Sequence, residues 1–350
     1  MKLPVRFAMI GSGWRSLYYI RIAKALPQYF EVCMMLCRTQ EKAQYMSETY
    51  HIPACVSEEE VDSAEPDVIV IAAKKEVNAV LSMHWLEKGY TVLQETPAGI
   101  DRETLEQLVK TDGKLVIAEQ YRRYPEYAAV KKLLETGLIG KPDHLYLSLA
   151  HEYHAASLIR YFLDIPAGTS FDVVTKQWSL PTAETLTRYE RITDRRISPK
   201  QRTNALFTYE GNKGAVYDFD SEQYRSPIRS SHFCIQGTYG EIFDQTVRYL
   251  DENNQAQTDL IHVMYRTIET DDPNPNLHTV REITKISFRD QILYQPVFGL
   301  CSLAQDETAI AYILHDTAMY ASGEGESPYP LAEAIDDALT AIHMKEFICG

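Results

Sequence analysis

Two short stretches of this chain hold residues whose types and spacing could do chemistry. The first is Gly11-Ser12-Gly13-Trp14-Arg15-Ser16, preceded by the apolar run Val5–Ile10 and followed by a helical stretch, Leu17 to Leu26, that Pro27 stops. Strand, tight turn, helix is the setting in which a G-x-G-x-x-G/A-like string binds a dinucleotide. The first glycine permits the turn and the second lets the backbone approach a pyrophosphate. That pyrophosphate would sit on unpaired N–H groups at the positive end of the helix. The third glycine position holds Ser16, which is small but not glycine. The second stretch is His151-Glu152-Tyr153-His154. An imidazole titrates in the range useful for acid–base catalysis. His154 starts a helical stretch, and the positive end of a helix disfavours the imidazolium. A neutral His154 could accept a substrate hydroxyl's proton; the alternative is a histidine packed at a domain interface. His151 and His154 straddle a strand–helix junction with no third ligand evident, so no metal is expected.

Cofactor choice is read near the end of the second strand, where an acidic residue would bind the ribose hydroxyls of NAD. The chain has Cys37-Arg38-Thr39 there. Arg38 could pair with a 2′-phosphate or stack on adenine, and nothing nearby is expected to repel that phosphate. The alternative is a solvated surface arginine at a helix start. NADP is favoured over NAD on this reading.

The elements that must position these residues alternate through the first third of the chain. Strand-like runs Phe30–Cys37, Asp67–Ala73, Thr91–Gln94 and Leu115–Ala118 are separated by helical segments Gln40–Tyr50, Val77–Lys88 and Asp101–Asp112. Gly89 and Gly113 stand where helix C-caps belong. Such alternation with apolar strands implies a doubly wound parallel sheet covered on both faces. After Ala118 the pattern changes to a helix at Glu126–Thr136 ended by Gly137, a strand at His144–Leu149 and a helix at His154–Leu163. Mostly strand signal follows, at Asn204–Tyr209, Ala215–Phe219, His232–Gln236 and Leu260–Tyr265, with Asp272–Asn276 as an irregular loop. Helices Glu307–Ala321 and Leu331–Phe347 close the chain. The expected fold class is α/β, a Rossmann domain (1–121) followed by an α/β domain (122–350) with a large, mostly antiparallel open sheet. Helices 307–321 and 331–347 are assigned to the second domain.

At 350 residues the chain exceeds what one hydrophobic core usually serves, in keeping with two domains. Its 35 Lys+Arg against 49 Asp+Glu give a net charge of −14, which repels nucleic acid and anionic membranes. The N-terminus lacks the apolar run of a signal peptide, and no stretch approaches the roughly 18 apolar residues that span a bilayer. Six cysteines without C-x-x-C spacing fit a reducing compartment, so a cytoplasmic protein is expected.

With Glu95-Thr96-Pro97 at a strand's carboxyl end, the chain resembles the Gfo/Idh/MocA oxidoreductases, the glucose-fructose oxidoreductase and inositol dehydrogenase family. The resemblance rests on Gly11–Ser16 and Glu95–Pro97. It continues through Glu119-Gln120-Tyr121-Arg122-Arg123-Tyr124-Pro125, Gly137–Lys141 and His154 with its helix. Gly237–Ile242 and the helix from Asp306 are weaker matches. It implies a Rossmann domain plus an α/β domain whose open sheet forms subunit contacts, hence a homo-oligomer, and sugar- or cyclitol-like substrates. The family's strand-end lysine is replaced by Thr96, whose hydroxyl can donate a hydrogen bond but cannot act as a base near neutrality. The aspartate four residues before the catalytic histidine is replaced by Ala150, and Lys74-Lys75-Glu76 stands where a proline-asparagine turn is usual.

The resulting expectation is an NADP- or NAD-dependent oxidoreductase moving hydride between nicotinamide and a hydroxyl or carbonyl carbon. His154 is the proton donor or acceptor, Thr96 a hydrogen-bonding substitute, and Tyr121 either stacks on the cofactor or donates its hydroxyl. Gly11, Ser12, Gly13, Trp14, Arg15, Arg38, Thr39 and Ala73 contact the cofactor, with Glu95 and Pro97 forming the nicotinamide wall. Arg122, His151 and Tyr224 bind substrate, although Arg122 could equally brace a domain junction through a carboxylate. Two other classes stay open. One is a redox-inactive dinucleotide-binding sensor or accessory protein, suggested by Thr96 and Ala150. The other is a lyase or hydrolase using bound NAD in an internal redox cycle.

Overall fold

The computed structural model describes residues 1–187, 190–224, 226–270, 279–346 and 348–349. The expected loop at 272–276 and Phe347 lie outside the described residues. The chain divides into two compact units, residues 1–124 with 300–339 and residues 125–299 with 340–350.

The first unit is built on six parallel strands. In chain order it runs β1 (Val5–Ile10), α1 (Ser16–Ala25), β2 (Phe30–Leu36), α2 (Gln40–Tyr50), β3 (Ala54–Cys55) and α3 (Glu58–Ser63). It continues β4 (Val68–Ile71), α4 (Lys75–Glu87), β5 (Val92–Gln94), α5 (Arg102–Lys110) and β6 (Leu115–Ile117). The strand order is β3-β2-β1-β4-β5-β6, the doubly wound order expected of a dinucleotide-binding sheet. Every residue of β4, β5 and β6 is buried, as befits strands covered on both faces. The order reverses between β1 and β4, and Gly11 stands there. Its φ is +111°, and an added Cβ would lie 2.7 Å from the Ala72 carbonyl oxygen at the end of β4. Only glycine fits that turn.

The second unit begins with α6 (Pro125–Leu134), β7 (Pro142–Ser148) and α7 (Glu152–Leu163). Then follow β8 (Phe171–Ala183), β9 (Ile197–Tyr209), β10 (Lys213–Asp220), β11 (His232–Gly237), β12 (Gly240–Phe243) and β13 (Thr246–Leu250). The last strands of this stretch are β14 (Ala256–Glu269), β15 (Thr279–Phe288) and β16 (Gln291–Tyr294). After α8 (Gln305–Ser322) and α9 (Leu331–Glu346), β17 (Ile348–Cys349) completes an eleven-stranded sheet of order β16-β15-β14-β13-β12-β11-β7-β10-β9-β8-β17. Its pairs are antiparallel except β7 with β10 and β8 with β17. The large open sheet is as expected, and α6 and α7 pack on one face of it.

The closing helices differ from expectation. All of α8, assigned from sequence to the second domain, groups with the first unit, and the division falls within α9. Two features tie it there: α8 buries Ile310, Ile313 and Leu314 in the first unit, and Asp306 and Glu307 at its start pair with Arg15 and Arg21 of α1 and the turn before it. Cys33, Cys37, Cys55, Cys234 and Cys301 are free thiols, the first three of them buried.

Candidate active site

At the glycine turn, the backbone N–H of Gly11 donates to the Leu36 carbonyl at 3.3 Å, tying the turn to the end of β2. Ser16, the residue in the third glycine position, is fully buried, and its hydroxyl donates to the Gly11 carbonyl at 3.0 Å. The first helical N–H groups, of Ser16, Leu17 and Tyr18, close tight bonds back to Gly13, Trp14 and Arg15. Among the described residues, the N–H groups of Ser12, Gly13 and Arg15 donate to no protein acceptor. A Cβ on Gly13 would meet nothing within 4 Å, so the turn keeps open space where its free donors gather. Free N–H groups at a helix start beside such a cradle fit a diphosphate. The residues present therefore fit a dinucleotide.

Arg15 is drawn inward. Its Nη1 lies 2.9 Å from Asp306 and its Nε 3.2 Å from Glu95. Glu95 is buried and also accepts the Tyr19 hydroxyl at 2.8 Å, while Asp306 accepts that of Tyr124 at 2.8 Å. Burial pushes the Glu95 carboxyl up, against Arg15 and Tyr19, which favour its ionised form. Glu95 is thus an anchor beneath the turn, with both carboxyl oxygens engaged. The peptide bond that follows it, Thr96–Pro97, is cis, and the Gln94 amide donates to the carbonyls of Pro97 and Ala98 at 2.9 and 3.0 Å. Thr96 is half-buried, and Ala73, at the end of β4, donates its N–H to Asn78 at 3.1 Å.

At the end of β2, Arg38 is exposed and has no hydrogen bond or ion pair among the described residues. Thr39 caps α2, its hydroxyl accepting the Lys42 N–H at 3.2 Å. Glu41 stands in the first turn of α2, and its own N–H and the Thr39 hydroxyl hold its carboxyl below the usual carboxylate range. That negative charge, three residues after Arg38, corrects the expectation that nothing near Arg38 would repel a 2′-phosphate.

The Glu119–Tyr124 segment follows β6. Tyr121 is buried with its ring stacked on Tyr124 at 4.6 Å, so the partner its ring shows is a protein side chain. Arg122 pairs with the Glu333 carboxylate at 3.2 Å and lies over the Tyr329 ring, all three residues belonging to the first unit. Glu119 is buried, accepts the Tyr121 N–H at 3.0 Å, and burial pushes its carboxyl up to about 8. It carried no role in the sequence reading; a carboxylate one residue past an apolar strand end was the available signal.

In the second unit, α7 starts one residue after His151, which places His154 in its first turn, buried. His151, Tyr153 and His154 cluster: ring centroids lie 5.0 Å apart for His151 and His154 and 4.4 Å for Tyr153 and His154. Tyr224 accepts the His151 backbone N–H at 2.9 Å and bonds its Nδ1, while His151 Nε2 lies 2.8 Å from the Tyr153 hydroxyl. The Tyr217 hydroxyl accepts the next N–H, of Glu152, at 3.1 Å. Ala150 is fully buried. His151 thus links His154, Tyr224 and Tyr153 in one cluster.

Residues 5–116 match the family model described as GFO_IDH_MocA, oxidoreductase family, NAD-binding Rossmann fold. A dTDP-3,4-didehydro-2,6-dideoxy-alpha-D-glucose 3-reductase from Streptomyces violaceoruber is 28% identical over 178 residues, 48% of this chain. That match spans about half (51%) of the reductase's own length. Among solved structures, an oxidoreductase from Agrobacterium radiobacter in complex with NAD+, L-tartaric acid and magnesium superposes with a TM-score of 0.67. It is 14% identical, over 98% of this chain and 96% of that one. A putative myo-inositol dehydrogenase from Sinorhizobium meliloti gives a TM-score of 0.64 at 14% identity, over 98% and 97%. At such identities these structures speak for the fold alone.

Proposed function

We propose, for a chain whose residues 5–116 match the NAD-binding Rossmann model of the Gfo/Idh/MocA oxidoreductases, a nicotinamide-dependent interconversion of a hydroxyl and a carbonyl group. The substrate class is a small polar, sugar- or cyclitol-like compound, in keeping with a dideoxyglucose reductase and a putative myo-inositol dehydrogenase among the distant relatives. The observation that carries the reading is the glycine turn. Its free N–H groups and the open space at Gly13 stand at the point where the parallel sheet reverses its order.

When bound, the cofactor supplies the hydride chemistry. The chain's own residues bind it and handle the proton. Gly11, Ser12, Gly13 and Arg15 present the turn, with Arg15 acting through Glu95 and Asp306 rather than as a loose cation. Arg38 and Thr39 form the adenosine rim, where Arg38 supports NADP and Glu41 supports NAD. His154 is the proton donor or acceptor, and Thr96 offers a hydrogen bond where a base is absent.

The row Val174, Leu206, Val216, Tyr146, Cys234, Phe243, Thr246 and Leu260 crosses eight strands in register on the face opposite the buried Leu145 and Leu147. Val174, Leu206 and Leu260 are more than half exposed, at 56%, 52% and 51%. So extensive an apolar row supports a homo-oligomer formed through the sheet. Among the described residues no helix is long and apolar enough to cross a membrane; net charge and cysteine pattern support a cytoplasmic setting without nucleic-acid partners.

The test is a fluorescence titration with NADH and NADPH beside Gly13→Asp and Arg38→Ala. Micromolar binding lost in Gly13→Asp supports the dinucleotide site; no binding of either nucleotide by the wild type sinks it. A redox-silent sensor is the second reading, favoured by Thr96 and the buried Ala150. It requires nucleotide binding with no reduction of any sugar, cyclitol or ketone.

A further inference from the structure

The α1 helix starts on a residue of the wrong charge. Arg15 holds the N-cap position, no side chain caps the turn, and no acidic residue stands in the first turn. A cation at the positive end of a helix is unfavourable unless its charge is answered elsewhere. Here it is answered by two carboxylates: Nη1 meets Asp306 at 2.9 Å and Nε meets Glu95 at 3.2 Å. With the Gln120 amide nitrogen on the Ala118 carbonyl at 2.8 Å, the amide oxygen accepts Nη2 at 2.9 Å. The rings of Trp14 and Tyr18 lie 5.3 and 5.0 Å from the guanidinium carbon.

These partners come from three segments of the first unit. Glu95 follows β5, Gln120 follows β6, and Asp306 stands in the first turn of α8. Each carboxylate is fixed in its turn, Glu95 by the Tyr19 hydroxyl and Asp306 by that of Tyr124, both at 2.8 Å. In the sheet, β4 separates β1 from β5, and the Arg15–Glu95 pair joins the segments that follow these two strands. One of those segments is the glycine turn, whose free N–H groups include that of Arg15 itself. The other runs into the cis Thr96–Pro97 bond. A planar guanidinium engaged on three nitrogens has one orientation; the ammonium of a lysine would not.

We propose that Arg15 is a positioning residue that keeps the diphosphate turn and the Glu95–Pro97 loop at one fixed spacing, and that Asp306 locks it in place. This rests on the nicotinamide-dependent reading and deepens it, because the two segments serve opposite halves of the dinucleotide. The turn takes the diphosphate and the loop faces the nicotinamide. A ligand that reaches both halves gains from a spacing set before it binds, since no ordering cost is left for the moment of binding. A ligand that ends at the ribose next to the diphosphate gains nothing from it. Asp306 thus acts on cofactor affinity without touching the cofactor, through the Arg15 side chain alone.

The test compares NADH with ADP-ribose, which lacks the nicotinamide, and NADPH with 2′-phospho-ADP-ribose, by titration calorimetry. Asp306→Asn and Arg15→Lys should each weaken the dinucleotide about tenfold and the truncated ligand by no more than about twofold. Arg15→Ala with Asp306→Asn should bind the dinucleotide as Arg15→Ala alone does, because Asp306 has no other route to the site. Glu307→Gln removes the neighbouring pair with Arg21 from the same helix start. It should lower Tm and leave both Kd values at the wild-type level. Three results overturn the proposal: wild-type dinucleotide affinity in Asp306→Asn and Arg15→Lys, equal losses for full and truncated ligands, or the same loss in Glu307→Gln. A wild type that binds ADP-ribose as tightly as NADH, and the 2′-phosphorylated pair likewise, overturns it too, and leaves the dinucleotide turn standing. If the wild type binds none of the four ligands, the nicotinamide-dependent reading falls and takes this inference with it.

Discussion

Replacing Glu119 by glutamine should make the protein more stable at pH 8 and leave it nearly unchanged at pH 4.5. The Glu119 carboxyl is 3% exposed, accepts the Tyr121 N–H, and is pushed up to about 8 by burial, against the nearby Arg122 and Arg15. In the unfolded chain it titrates near 4.3. Between these values the folded state holds a proton that the unfolded state has lost. The contribution is therefore fully present below the unfolded pKa and declines as pH rises toward about 8. The slope is about 1.4 kcal/mol per pH unit, and the whole interval amounts to about 5 kcal/mol. A glutamine side chain there would have the shape of the protonated acid, could accept the same N–H, and would not titrate. Urea unfolding at half-unit steps from pH 4.5 to 8.5, followed by tryptophan emission, gives the comparison; buried Trp85 belongs to the same unit as Glu119. The stability gap between Glu119→Gln and wild type should widen steadily in favour of the variant, to roughly 3–5 kcal/mol at pH 8. A pH-independent gap, or a variant weaker than wild type at pH 8, would refute the account of a carboxyl kept neutral by burial.

Other outcomes follow from the same geometry. Glu41→Gln should shift the ratio of NADPH to NADH affinity toward NADPH in a nucleotide titration, by roughly fivefold to tenfold, because it removes a fixed charge that repels a 2′-phosphate; an unchanged ratio excludes Glu41 from the rim. Gly11→Ala should cost about 3 kcal/mol or more, since a Cβ at φ +111° meets the Ala72 carbonyl at 2.7 Å, and a thermal melt within a degree of wild type would contradict the turn. Leu206→Asp with Val174→Asp should lower the molecular mass seen by light scattering, by charging the middle of the apolar row; an unchanged mass moves any interface elsewhere.

Much of the first unit was legible because its strands are short apolar runs bounded by glycines and caps. Val68–Ile71 is buried throughout, and α2 falls on the residues its pattern indicates. The two-residue β3 and the acidic six-residue α3 were too short to carry a period. In the second unit, β8 blurs the alternation of a strand because Val174 and Trp178 place apolar side chains on its exposed face, at 56% and 41%. A sheet with apolar groups on both faces loses the period-two signal. The candidate site divides in the same way. The glycine turn and the histidine pair are local in sequence and were found. The Arg15–Asp306 pair joins residues 291 apart, and no spacing rule reaches it. Tyr153 was visible between the two histidines, but its bond to His151 depends on the backbone turn at Glu152.

That long-range pair bears on how the protein comes into being. The first unit is discontinuous: after residue 124 the chain makes 175 residues of the other unit before α8 supplies the remaining piece. Until Asp306 and Glu307 emerge from the ribosome, Arg15 lacks one of its two carboxylates, and Arg21 lacks its ion-pair partner Glu307. Glu307 is buried, and a half-buried guanidinium without its carboxylate loses the partner that offsets its desolvation. Residues 1–124 are therefore an unfinished domain during synthesis, with the α1 arginines short of their full set of carboxylates until α8 arrives. A nascent chain stalled before residue 300 should be open to protease at α1, and the same chain released past residue 339 should be closed.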